Sequence, residues 1–255
     1  MHPDLTAEPQ DRGHWLALTI FALAMALLEA VIVVYLRQLY MRGGLNFPLP
    51  PLPPAMLRLE ALREGATLVM LAAVAGLAAR TSLGRLGAFL YLFGLWDLGY
   101  YAGLKWLLGW PSSLLSWDIL FLLPVLWLGP VLAPMLCALT MIALAVALQR
   151  AFPQGGRWSA VPPWFWGVLG LGALLQLLAF LADAWTLARQ VGAGSSLAHW
   201  MTDAAYRQAL AGYRPGPFLW QLFLGGWGLQ LLALARLWCA SPGKLAVFKR
   251  RRRIG

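Results

Sequence analysis

The chain has 255 residues, of which 60% are hydrophobic and only 12% are charged, and its formal net charge is +10. Soluble domains carry roughly 25% charged residues, so this composition excludes an ordinary soluble domain and predicts an integral membrane protein. Six of the twenty Lys and Arg residues lie within 244–253, so the positive charge indicates a basic tail and not a nucleic-acid-binding surface.

The first part of the chain predicts three membrane spans. A polar tail covers 1–14, and the apolar run at 15–40 is too long for the ~7–15-residue core of a signal peptide, so we expect a spanning helix there. A Gly/Pro-rich linker at 41–55 separates it from a second span at 56–79. The third span is predicted at 87–108.

An unusually long apolar run follows at 112–149. At about 1.5 Å per residue, it is much longer than one helix needs to cross a ~30 Å bilayer core. We therefore divide it into a short interfacial or half-inserted helix at 112–124, capped by Ser112 or Ser113, and a fourth span at 126–149.

The last part of the chain predicts two further spans, at 163–188 and 217–240. An amphipathic helix at 195–211 is expected to lie on the membrane surface between them. The predicted fold is thus all-α: a polytopic bundle of six transmembrane helices over 15–240, with one half-helix and one interfacial helix. The segment 241–255 is a basic tail.

The two last predicted spans have similar sequences. Gly172 precedes LQLLA at 175–179, and Gly226 precedes LQLLA at 229–233 with the same spacing. Leucine-rich helices often match by chance, so this similarity by itself indicates no duplication.

The charge distribution predicts an orientation. Six spans put both termini on one side of the membrane, and the basic tail predicts that this side is the cytoplasm. The expected location is the inner membrane of a bacterial cell. The tail is also expected to bind anionic lipid headgroups. Its lipid-binding residues are Arg250, Arg251, Arg252 and Arg253.

Six of the ten acidic residues lie in apolar segments, and all six are predicted from the membrane midplane outward. A charged side chain inside a membrane is costly and therefore indicates a functional site. The candidates for a proton or substrate site are Glu29, Glu60, Arg63, Glu64, Asp97, Tyr101, Lys105 and Asp118.

Each group of candidates also has a structural interpretation. Glu60, Arg63 and Glu64 share one side of a helix, where they form an anion clamp, a proton site or an ion-pair lock between helices. Glu29 has no partner within one turn of its own helix, so its expected partner is Arg63 or Lys105 across the bundle.

A second column of polar residues recurs at every fourth position. Asp97, Tyr101 and Lys105 either relay protons or bind a headgroup; alternatively, Asp97 pairs with an arginine of another span while Lys105 extends towards the headgroups. Asp118 either belongs to the site or only favours the positive N-terminus of the half-helix.

No HExxH, Cys/His set, GxSxG or phosphate loop occurs in the sequence, so we predict no metal and no resident cofactor. Most tryptophans are expected at the two membrane interfaces. The deeper ones, Trp96, Trp127 and Trp227, either pack in the core, which is the favoured interpretation, or line a groove for a quinone or a lipid.

The tract FGLWDLGYYAGLKWLLGWPSSLLSWDILFLLPVLWLGPVLAP at 93–134 resembles uncharacterised bacterial polytopic membrane proteins with a WD…LK…GWP…WD…P…GPVLAP pattern. The resemblance implies a membrane-protein family. It transfers no activity to any residue here.

Two classes of function remain. The first is an integral subunit of a larger, energy-converting membrane complex such as a respiratory electron-transport complex, in which 97–134 contacts other membrane-protein subunits. The alternative is an outward-facing membrane enzyme or proton-coupled transporter that acts on a lipid-linked or anionic substrate. Membrane lipids are expected partners in both cases.

Overall fold

A computed structural model gives the structure of the protein. It describes residues 12–41, 45, 47–48, 53–153, 155–193, 200 and 203–239. The lipid-binding arginines predicted at 250–253, the rest of the basic tail, most of the N-terminal tail and most of 195–203 lie outside the described residues.

The described part of the chain is mostly helical. Its helices are α1 (Arg12–Tyr40), α2 (Pro54–Ala78), α3 (Ser82–Leu108), α4 (Leu132–Ala151), α5 (Pro163–Gln190), α6 (Ala204–Gly212) and α7 (Trp220–Cys239), and its strands are β1 (Trp117–Phe121) and β2 (Trp127–Pro130).

Five helices, α1, α2, α4, α5 and α7, are long and apolar enough to cross a membrane. The chain is therefore a polytopic membrane protein, as its composition predicts. The helix α3 is comparably long, with 27 residues, but it carries Arg85, Asp97 and Lys105 and is not among these five.

The predicted half-helix at 112–124 is wrong, because β1 and β2 form an antiparallel hairpin, although the described part of the chain is mostly helical, as predicted. Pro124 lies between the strands, where it cannot continue a helix since it lacks a backbone N–H. Pairing the two strands satisfies the backbone groups that a helix would otherwise satisfy. The fourth span consequently begins at Leu132 and not at 126.

The serines expected to cap the half-helix form a turn instead. The N–H of Ser113 donates to Oγ of Ser116 at 3.1 Å, and the N–H of Leu115 donates to Oγ of Ser113 at 3.1 Å. This turn leads the chain from α3 into the hairpin.

The described part of the predicted interfacial helix is α6, which Asp203 caps by accepting the N–H of Tyr206 at 2.9 Å. Tyr206 and Leu210 are buried in one apolar cluster with hairpin residues such as Val125 and Leu128. Burial raises the pKa of the Tyr206 phenol to about 12, so this side chain is neutral at physiological pH. The helix α6 therefore packs on the hairpin.

The long helices pack in a row in which α1 lies along α3, α3 along α4, α4 along α7 and α7 along α5, with α2 against α3. Small residues permit the closest approaches. A Cβ atom added to Gly99 or Gly103 would lie 2.8 Å from the Cβ of Ala26 or Ala30, respectively, so α1 and α3 meet almost backbone to backbone.

The similar sequences of α5 and α7 meet where the two helices cross. A Cβ on Gly172 would lie 2.6 Å from the carbonyl oxygen of Gly226, and a Cβ on Gly226 would lie 2.5 Å from that of Gly172. The shared glycine is thus the residue that lets these helices touch.

A leucine at this crossing should disrupt the pairing of α5 with α7. Overpacking typically costs about 1–3 kcal/mol, so we expect Gly226→Leu to lower the thermal unfolding temperature of the detergent-purified protein. Gly225→Leu is the matched control, because a Cβ on Gly225 meets no atom within 4 Å. Equal unfolding temperatures for the two variants would contradict this packing.

Candidate functional site

A cavity of about 680 Å³ lies inside the bundle, lined by described residues of every long helix, of α6 and of the hairpin. On α3 its lining extends from Tyr101 to Leu86, which at 1.5 Å per residue is about 22 Å, most of a ~30 Å bilayer core. We call the end at which α1 and α3 finish and α2 begins the hairpin end, since β1 and β2 lie there.

The lining is charged at the hairpin end. Its ionisable and phenolic residues there are Glu29, Arg37, Tyr40, Glu60, Arg63, Glu64, Asp97, Tyr100, Tyr101 and Asp118. Seven of the eight predicted candidates are therefore brought together, from three helices and a strand.

Asp118 ties the hairpin to two helices. Nη2 of Arg37, on α1, lies 3.5 Å from Oδ1 of Asp118, and the Tyr101 hydroxyl, on α3, donates to Oδ2 at 3.1 Å. Asp118 is only 2% exposed and Arg37 only 7%. The Arg37 guanidinium also lies 3.9 Å from the centre of the Trp110 ring. Asp118 thus caps no half-helix; it is the shared acceptor of a buried network.

Arg63 ties α2 to α1. It forms an ion pair with Glu29, one of the two partners expected for that residue, and its Nε donates to Glu60 at 2.9 Å. The hydroxyl of Thr67 donates to Glu29 at 3.3 Å. These contacts make Glu29, Glu60 and Arg63 an ion-pair lock between helices, which is one of the roles expected for them.

Glu64 points instead to the turn of the hairpin. It is buried, and its Oε2 accepts the backbone N–H of Leu122 at 2.8 Å. The two glutamates of α2 therefore have different roles. Glu60 accepts a hydrogen bond from Arg63, whereas Glu64 accepts one from a backbone N–H just beyond the end of β1.

The predicted column on α3 is divided. Lys105 is exposed, and its Nζ donates to the carbonyl oxygens of Gly109 at 3.0 Å and Pro111 at 2.9 Å. It closes the end of α3 beside Gly109, whose φ of 67° ends the helix in the left-handed region. Lys105 is consequently not among the residues that line the cavity.

Asp97 is the candidate left open towards the cavity. It lines the space, and within the described part of the chain no hydrogen bond or ion pair engages its carboxylate. The arginine partner predicted for Asp97 is therefore not found there, since Arg37 and Arg63 pair with Asp118 and with the two glutamates.

Sequence reasoning missed Gln176 and Arg37 as site residues. Gln176 is 5% exposed, lines the cavity from α5, and its Nε2 finds no hydrogen-bond partner among the described residues. The sequence feature that could have indicated Gln176 is a lone amide within an apolar span. For Arg37 it is a cation near the end of α1, which needs a carboxylate partner if it is buried.

The remainder of the cavity is mostly apolar, with the polar side chains of Thr140 and Gln230 also in its lining. Away from the hairpin end its lining consists of residues such as Leu86, Leu90, Met141, Leu144 and Leu169. Gly170 and Ala173 of α5 line this part and are exposed, so the apolar end is open along α5.

Across the described residues, no group of three or more His, Cys, Asp or Glu side chains is placed to hold a metal ion. No family model, curated protein or solved structure matches the chain. The resemblance of 93–134 to bacterial membrane proteins stays a prediction.

Removing the cation of the Asp118 network should destabilise the fold. Breaking one partner from a buried pair costs about 3–5 kcal/mol, because the other charge stays buried without compensation. We expect Arg37→Gln to lower the thermal unfolding temperature strongly in detergent, whereas Lys105→Gln, at an exposed cation outside the cavity, changes it little.

The double variant Arg37→Gln with Asp118→Asn tests whether this loss of stability comes from leaving Asp118 buried without its cation. It removes both charges and should recover part of the stability lost in Arg37→Gln. A double variant less stable than Arg37→Gln alone would show that the two charges do not act as a pair.

Proposed function

We propose that the protein is a membrane enzyme or transporter that takes a lipid-linked molecule into this cavity, with the headgroup at the hairpin end. One observation carries the proposal: a single cavity joins a cluster of buried charges to a long apolar stretch. An amphipathic molecule needs both, since its headgroup requires polar partners and its chain requires an apolar wall.

The openness of the apolar end supports lateral entry. Gly170 and Ala173 are exposed where they line the cavity, and α5 is one of the five helices long enough to span a membrane. A lipid chain can therefore pass between bilayer and cavity without meeting a charge, as no ionisable residue is among the described lining residues of that part.

The proposed orientation places α3 as a sixth span, both termini in the cytoplasm of a bacterial cell and the hairpin end towards the outer side. The basic tail supports it through the excess of positive charge expected on cytoplasmic segments. The headgroup would then be reached from the outer leaflet.

Membership of an energy-converting complex stays a prediction. No specific contact of the described residues favours membership of a complex. Lipid binding, in contrast, gives both the apolar part of the cavity and its charged end a role. A quinone, which also combines a polar ring with an apolar chain, is the other bound molecule that fits the same lining.

Blocking the apolar end tests lipid binding. Gly170→Trp places a large ring in the cavity, and we expect the lipid that copurifies in mild detergent to fall by about tenfold, as measured by mass spectrometry of extracted lipid per protein. Gly167→Trp, one turn away on an exposed position that does not line the cavity, should retain wild-type levels.

Equal lipid content in the wild type, Gly170→Trp and Gly167→Trp would contradict the proposal. Loss of lipid in both variants together with a lower unfolding temperature would indicate disruption of α5 and not a blocked cavity, and would likewise leave the lipid site without support.

A further inference from the structure

We propose that the headgroup carries an ammonium group, as the zwitterionic headgroup of phosphatidylethanolamine does, and that Asp97 is the residue that binds this ammonium. The inference rests on the proposed lipid-binding function and names the class of lipid.

The charge balance of the lining favours a cation. Its carboxylates are Glu29, Glu60, Glu64, Asp97 and Asp118, and its guanidiniums are Arg37 and Arg63. Both arginines are already engaged by carboxylates, so an anionic headgroup would meet excess negative charge with no free cation in the described lining. In a poorly solvated cavity that repulsion is large, and a cation relieves it.

Asp97 is the carboxylate available for this role. Asp118, Glu64 and Glu29 accept hydrogen bonds from the protein and so form the wall of the site. Asp97 lines the cavity without a hydrogen-bond or ion-pair partner within the described chain. An ammonium group supplies the donors and the positive charge that this carboxylate lacks.

Four aromatic rings that contact one another line the same cavity. The Trp96 ring lies 5.3 Å from Phe93, 6.4 Å from Phe121 and 6.5 Å from Tyr100, and all four residues line the cavity. Ring faces attract cations through their quadrupole, and aromatic cages recognise alkylammonium groups in this way. The rings attract an ammonium group but not a phosphate or a carboxylate.

Gln176 fits the part of the lipid next to the headgroup. On α5 it lies between Phe180, nearer the hairpin end, and Ala173, in the open apolar part. Its buried Nε2 is a donor without a partner among the described residues, and the ester and phosphate oxygens of a glycerophospholipid are acceptors at that level. The ammonium, the phosphate and ester oxygens and the acyl chain follow one another along such a lipid. Asp97, Gln176 and the apolar part of the cavity follow one another in the same order.

The test measures lipid preference. Purified full-length protein is reconstituted with equal amounts of phosphatidylethanolamine and phosphatidylglycerol of identical chains, and the lipid it retains in detergent is quantified by mass spectrometry. We expect phosphatidylethanolamine to be retained over phosphatidylglycerol by about fivefold or more, and excess free ethanolamine not to displace it. Displacement by free ethanolamine would assign the site to a soluble amine and overturn the lipid assignment.

Variants assign the preference to residues. Asp97→Asn should bring the ratio to about one without lowering total retained lipid, and Asp97→Glu should restore the preference. Gln176→Leu should reduce the retention of both lipids by a similar factor without changing the ratio. Lys105→Gln, outside the cavity, is the control and should match the wild type.

Two results would overturn the inference: retention of phosphatidylglycerol at or above phosphatidylethanolamine by the wild type, or an unchanged ratio in Asp97→Asn. Both leave the lipid site itself intact, because lipid is still retained and Gly170→Trp still removes it. Absence of retained lipid from the wild type would instead reject the proposed function.

Discussion

The structure depends on one buried carboxylate, that of Asp118. A charge so deeply buried is stable only with compensating partners, and Arg37 from α1 and Tyr101 from α3 supply them. Satisfying Asp118 therefore fixes the hairpin against two helices at once. The same placement brings the Leu122 N–H to Glu64 on α2, so a third helix is attached by a donor that would otherwise remain unsatisfied. The charged end of the cavity is the result of these requirements.

The polar residues around the cavity fall into two groups, one that holds the fold together and one that faces the cavity. Those that accept protein donors hold elements together, whereas Asp97 and Gln176 line the space without hydrogen-bond or ion-pair partners among the described residues. Glycine contacts bring α1 to α3 and α5 to α7 almost backbone to backbone. The cavity lies among these pairs, α2, α4 and the hairpin. A polar group kept open at a fixed place within an apolar enclosure is what recognition of an amphipathic molecule requires.

Much of this fold is predictable from sequence, since apolar length alone indicates where the long helices lie. The hairpin was missed because a continuous apolar run has the same appearance in a buried strand and in a helix, and only Pro124 indicates the break. In the site, the Glu29–Arg63 pair was anticipated because intramembrane charges seek partners. Lys105 is exposed, in line with one of its two expected roles, but spacing along α3 does not reveal that the end of the helix turns back to meet its side chain. The role of Gln176 depends on contacts between distant helices, which no local pattern contains.

Photolabelling can show directly whether a lipid occupies the cavity from the charged hairpin end inward. The protein is placed in vesicles containing a phosphatidylethanolamine with a diazirine midway along one acyl chain, and adducts are mapped by peptide mass spectrometry. We expect adducts on cavity residues such as Leu90, Met141 and Leu169, in addition to those on outward-facing residues such as Leu77 and Leu232. Adducts confined to outward-facing residues would contradict this expectation, because the chain would then contact only the exterior of the bundle.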